Sequence, residues 1–176
     1  MDSLKEKEDY FLQRTLDHKR LVRNACFKVA ESANSLGISE KELRACGFTH
    51  DDLKFLPPEH EPYVDLTWRK KEGIKEITPE IAEATLHHIK NSKHHPEYWT
   101  STKISLNKDE RDKLNQCVDA SKMPKLYLAE MVCDWHAMGQ ECGNTAREWF
   151  NKQRNVRWCF SKEQEDFISK VLNILE

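Results

Sequence analysis

Glycine and proline are scarce in this chain, five and six among 176 residues. No segment alternates with period 2 over more than a few residues, and the apolar spacing is mostly 3 and 4. These absences argue against a turn-rich β architecture and predict an all-α protein. No stretch approaches the ~18 consecutive apolar residues that a bilayer-spanning helix needs, and no apolar segment follows the acidic, polar opening of the chain. The expectation is a soluble, non-secreted, cytoplasmic protein without a membrane partner. A charge excess is also missing: 28 Lys and Arg oppose 30 Asp and Glu, for a net charge of −2, so nothing global favours nucleic acid. The six cysteines contain no C-x-x-C pair, and reduced thiols are expected rather than a disulfide framework.

What is present suffices for one core. Five Trp, seven Phe and four Tyr supply apolar mass in a chain of mean hydropathy −0.81. A length of 176 residues suits a single compact helical domain spanning 1–176. The first helix is expected from about Ser3 to about Ser35, ending near Gly37, with Phe11, Thr15, His18, Val22, Ala25 and Val29 on one inward stripe. Ser39 to Glu42 reads as a capping box, and Gly47 as the break of the short helix it opens. Pro57-Pro58 forces an interruption before a short helix from Glu59 to Trp68, and Thr78-Pro79 starts another that Pro96 limits. Further helices are expected from Asn107 to about Cys117 and from Pro124 to about Gly139. The capping box Ser161 to Gln164 opens a last one, with Phe167, Val171, Leu172 and Leu175 inward.

Histidine is the outlier of the composition, at eight residues. His18 lies on the inward stripe of the first helix, His50-Asp51 opens a new element, and Asp134 shares a stripe with Tyr127, Met131 and Met138. An ionised Asp on an apolar stripe must find a cation, a proton or a metal. Two imidazoles and two carboxylates suit Mn, Fe, Co or Zn. Taken singly, His18 also reads as a satisfied core histidine and Asp134 as an ion pair or cap. Together these readings require several buried polar groups, each costing ~1–3 kcal/mol if unsatisfied. Lys54, three residues after Asp51, reads as a cation for a phosphate oxygen or as a surface lysine over Phe55. Glu130, one turn before Asp134, reads as an acceptor beside the site, a water-positioning base, or a surface acid. The run Arg147 to Phe160 interleaves aromatics with Arg and Lys, a composition that grips phosphates or forms a solvated face. Nucleic acid is possible there but not favoured.

The order His, His-Asp, distant Asp resembles the HD-domain superfamily of metal-dependent phosphohydrolases. His50-Asp51-Asp52-Leu53-Lys54 is similar to the H-D-x-x-K form of HD-GYP-type phosphodiesterases. His94-His95-Pro96-Glu97 is similar to their His-His-Glu element, and Val132 to Met138 to their V-x-D-x-x-D-A-M segment; the GYP part is absent. A further similarity is to an uncharacterised family of small viral and bacterial proteins carrying H-D-x-S-K-F, H-H-P-E-Y-W and M-V-C-D-W, with Leu53 here in place of the Ser.

The resemblance implies an HD-type helical bundle whose ligands are His18, His50, Asp51 and Asp134. It implies a second ion if His88, His94 and His95 contribute. His88 is favoured over His87 by its helical face; one or two of these histidines otherwise bind substrate phosphate or cap the helix end. The implied activity is hydrolysis of a nucleotide or other small phosphate ester by metal-activated water, with Lys54, His87 and Arg147 as candidate phosphate contacts and Glu130 as a candidate base. Two rivals remain: an HD-type di-iron oxygenase, and a module that binds metal or nucleotide without turnover.

Overall fold

The structure, a computed structural model, describes residues 3–101, 103–106 and 117–176. Among them are eight α-helices, two 3₁₀ turns and one two-stranded sheet, so the all-α expectation is met. The helix expected from Asn107 lies outside the described residues except at Cys117.

Helix α1 (Leu4–Ala30) begins at a capping box in which Ser3 and Glu6 satisfy each other's backbone N–H groups, and it buries the predicted stripe. It stops earlier than expected. A turn intervenes before α2 (Ala33–Leu36), which Gly37 closes at φ +67°. Helix α3 (Glu40–Thr49) starts where the Ser39 hydroxyl accepts the Glu42 N–H. Gly47 does not break it. A Cβ there would sit 3.0 Å from Cys26 Cβ and 3.1 Å from the Arg23 Cα, so this glycine lets α3 lie close on α1.

A 3₁₀ turn (Asp52–Phe55) leads past Pro57-Pro58, joined by a cis bond, to α4 (His60–Lys71). Helix α5 (Pro79–Asn91) starts as predicted, with Thr78 capping the Ile81 N–H. A second 3₁₀ turn (Pro96–Tyr98) precedes strand β1 (Val118–Asp119). Helix α6 (Lys125–Cys142) runs past Gly139 to Gly143, whose φ of +74° terminates it. Helix α7 (Ala146–Gln153), with a capping box from Thr145 to Glu148, occupies part of the segment read as a phosphate-gripping patch. Strand β2 (Trp158–Cys159) pairs in parallel with β1, and α8 (Lys162–Leu175) buries its predicted face.

Helices α1, α3, α6 and α8 enclose the larger core, built on residues such as Val22, Leu43, Leu128, Val132 and Leu172. Phe11, Tyr63, Val64, Leu66, Ile81 and Ala84 form a smaller one under α4 and α5. On α1, His18 falls between Phe11 of the smaller core and Val22 of the larger, so the polar site lies where the two meet.

Two expectations need correction. Cys117 and Cys159 form a disulfide with their Cα atoms 5.8 Å apart, because the β1–β2 register of Val118 with Trp158 brings together residues 42 apart in sequence; Cys26, Cys46, Cys133 and Cys142 are thiols. Two of the four aromatics in the run Arg147 to Phe160 are core: Trp158 and Phe150 are buried, and each stacks on Trp135, with centroids 5.5 and 6.2 Å away, while Trp149 and Phe160 are half-buried against that core. That leaves no stacking surface for nucleic acid in Phe150 or Trp158.

Gly139 supplies the sharpest packing test. A Cβ there would meet the Asn144 carbonyl oxygen at 2.5 Å. We expect Gly139→Ala to cost about 1–3 kcal/mol of stability in denaturant unfolding; an unchanged midpoint would contradict the α6–α7 turn as described.

Candidate metal centre

Six side chains from five segments converge where the two cores meet. His18 comes from the middle of α1, and His50 and Asp51 from just past the end of α3. His88 comes from the last turn of α5, His94 from the connection after it, and Asp134 from the middle of α6. Side chains of neighbouring helical residues diverge by ~100°, so an adjacent His-Asp pair cannot share a target on a regular helix. Here the backbone leaves α3 at His50 and Asp51 adopts φ +60°, a left-handed conformation that few residues other than Gly, Asn and Asp take up. Both side chains end up buried at the same place.

The Asp51 carboxylate stands at the centre. Its Oδ2 lies 3.8 Å from His18 Nε2 and 3.7 Å from His50 Nε2. Its Oδ1 lies 3.1 Å from His88 Nε2 and 3.8 Å from His94 Nε2. Asp134 Oδ1 closes the first side, 3.1 Å from His18 Nε2 and 3.7 Å from His50 Nε2. Among the described residues, three overlapping groups have ligand atoms within 4.8 Å of one another: His18, His50 and Asp134; His50, Asp51 and His94; His88, His94 and His95. His50 Nε2 and Asp51 Oδ1 are buried without a well-aligned hydrogen bond, the second despite His88 Nε2 at 3.1 Å. Buried polar atoms are ordinarily paired. Two such atoms facing one space, in a set of imidazoles and carboxylates, fit a divalent transition metal.

The other ring nitrogens are braced by glutamates. His50 Nδ1 lies 3.1 Å and His94 Nδ1 3.5 Å from Glu130 Oε1. His88 Nδ1 lies 2.8 Å from Glu59 Oε2, and His18 Nδ1 lies 3.4 Å from Glu141 Oε1. A ligating histidine ordinarily gives its second N–H to a carboxylate or carbonyl, which fixes the tautomer and turns the free nitrogen to the metal. His50 and His88 take that orientation through hydrogen bonds to Glu130 and Glu59, and Glu141 and Glu130 stand at longer range from His18 and His94.

Charge follows from this arrangement. Burial disfavours the imidazolium at His18, but hydrogen bonds to Asp134 and Glu141 prevail and raise its pKa to about 9. Burial likewise opposes charge on His50 and His88, and the carboxylates around them outweigh it. Asp51 and Asp134 stay well below the usual carboxylate range: burial alone would raise both, and Lys54 and His50 at the first, His18 and His50 at the second, reverse it. His94 and His95 are driven well down by burial and by neighbouring imidazoles, so both are neutral. Without metal, protons on His18, His50 and His88 balance the buried carboxylates. A metal takes the place of such protons and releases them on binding.

The remaining candidate residues divide. Lys54 Nζ hydrogen-bonds Asp51 Oδ2 and stacks over Tyr63, 5.1 Å from its centroid, rather than over Phe55. It lines a 280 Å³ cavity that also reaches His18, Asp51, His88, His94, His95 and Asp134. Glu130 is buried and braces two histidines, a geometry that makes it a positioning residue rather than a base. His87 is turned onto Glu59 Oε1 at 2.8 Å. Arg147 is not brought to the site: it ties α7 to the end of α8 through Glu176 at 2.6 Å and Asn173 at 2.8 Å. His95 approaches His88 and His94 but not Asp51. Glu97 is an anchor, since its Oε1 accepts from Arg157 and from Trp158 Nε1 at 3.0 Å and so holds the His94-His95 segment against β2.

Glu59 and Glu141 were not singled out from sequence. Each is one acid among many in polar surroundings, and no spacing rule marks it; only the fold shows Glu59 to be fully buried. We expect Glu59→Gln to lower metal affinity about 10–100-fold in calorimetric titration, with the helical circular dichroism signal unchanged. Unaltered affinity would contradict its bracing role.

No curated protein and no solved structure matches the chain. Residues 7–174, nearly the whole chain, match the family described as "Family of unknown function (DUF5662)". The centre spans His18 to Asp134, entirely within that match, and the chain belongs to this family.

Proposed function

We propose that this protein is a metal-dependent phosphohydrolase of HD-domain type, acting on a nucleotide or another small phosphate ester. The observation that carries the reading is the Asp51 carboxylate, which presents one oxygen to His18 and His50 and the other to His88 and His94. That arrangement would suit one or two divalent ions. His18, His50 and Asp134 would hold one, and His88 and His94, with His95 in reach, a second.

A divalent metal bound there supplies Lewis acidity, polarising a phosphoryl oxygen and making water acidic near neutral pH. The chain's own groups do the rest. Glu130, Glu59 and Glu141 fix the imidazoles, so the site is organised before substrate arrives. Lys54, at the edge of the cavity, offers an ammonium to a phosphoryl oxygen and offsets its charge. In the overall reaction water adds to phosphorus, the P–O bond to the alcohol breaks, and the alcohol departs with a proton.

The three-imidazole group His88, His94 and His95 favours a second reading, a di-iron oxygenase, because imidazole-rich sets also suit iron. One set of measurements separates the two. Protein purified without chelator should carry one or two equivalents of transition metal by mass spectrometry and release phosphate from at least one member of a panel of small phosphate esters, nucleotides included, with Mn, Co or Zn. Lys54→Met should lower kcat/KM about tenfold, a loss typical of one charge-assisted hydrogen bond, at unchanged metal content. Iron with oxygen consumption and no phosphate release would favour the oxygenase. Protein that takes up no metal would overturn both readings.

A further inference from the structure

The cavity in front of the centre is chemically two-ended. One end is the cluster of His18, Asp51, Lys54 and Asp134, with Tyr63 beside Lys54, and the other is walled by Leu66, Ile77 and Leu106. Leu66, Lys70, Ile77, Ala82 and Leu106 also line a second space of 870 Å³ between the end of α4 and the start of α5, where Ile74 and Pro79 join them. The two spaces adjoin, with these five residues in the walls of both. Three large aliphatic side chains around the second space are left about half in water: Ile74 at 46% exposure, Ile77 at 45% and Leu106 at 48%. Single exposed aliphatics are ordinary, but three around one groove that adjoins a polar centre mark a binding surface.

We propose that the substrate of the centre is amphipathic: a phosphate ester whose anionic head meets the metal ligands and Lys54, and whose alcohol is an apolar chain lying along Leu66, Ile77 and Ile74. This rests on the phosphohydrolase reading and narrows it, because a nucleoside would present a polar sugar to the aliphatic wall. Lys70 lines both spaces and places a further cation along the path of an anionic head. The groove would contribute through burial of methylenes, so affinity should grow with chain length until the groove is filled.

Calorimetric titration of zinc-loaded protein with methyl-, butyl- and octylphosphonate tests this without requiring turnover. Affinity should rise along the series, by about fourfold per methylene for those fully buried, and Ile77→Asp should bring octylphosphonate down to the affinity of methylphosphonate. Equal affinity for the three, or an octylphosphonate affinity untouched by Ile77→Asp, would overturn the amphipathic substrate while leaving the phosphate reading in place. Binding of none of the three would overturn the phosphate reading, and this inference with it.

Discussion

The structure depends on the compensation of one buried carboxylate. Asp51 is nearly free of solvent contact at the meeting point of two apolar cores, where an uncompensated charge would cost several kcal/mol. Four imidazoles and Lys54 surround it; His18 and His88 come from helices that also contribute to a core, and His50 and His94 from the backbone just beyond two such helices. The packing of the bundle brings His18, His50, His88 and His94 together around Asp51.

A metal-free cluster of this kind holds itself together with protons. The carboxylates of Glu59, Glu130 and Glu141 lie behind the rings and hold them in the orientation ligation requires. The raised pKa of His18 and the lowered one of Asp134 belong to a single pair, which is stable as an ion pair and becomes a ligand pair once the proton leaves. The arrangement is thus preorganised, and the cost of gathering the groups falls on folding rather than on binding.

Legibility from sequence followed periodicity and ended where tertiary contact takes over. The steps of 4 and 3 from Phe11 to Val29 place His18 inward, and the capping signals at Thr78 and Ser161 place two helix starts, because both are local effects of backbone geometry. The His50-Asp51 pair and Asp134 were legible as chemistry without a partner. The glutamate braces were not, since an acid becomes a brace only through the element facing it. Gly47 and Gly139 look like helix breakers in sequence and prove to be points of close approach, a distinction that depends on α1 and on Asn144. Arg147 and the aromatics after it resembled a phosphate grip, and the stack on Trp135 takes Phe150 and Trp158 into the core while Arg147 ties α7 to the end of α8. The pairing of Cys117 with Cys159 follows from the same two-residue sheet, for which no alternating pattern exists.

The most direct test of the central claim is anomalous diffraction from crystals grown with zinc. An anomalous peak beside the Asp51 carboxylate, within ligand distance of His18, His50 and Asp134, is predicted, with another near His88 and His94 where the protein carries two equivalents. Ions bound elsewhere on the chain, or no ion at Asp51 in crystals saturated with metal, would contradict the account.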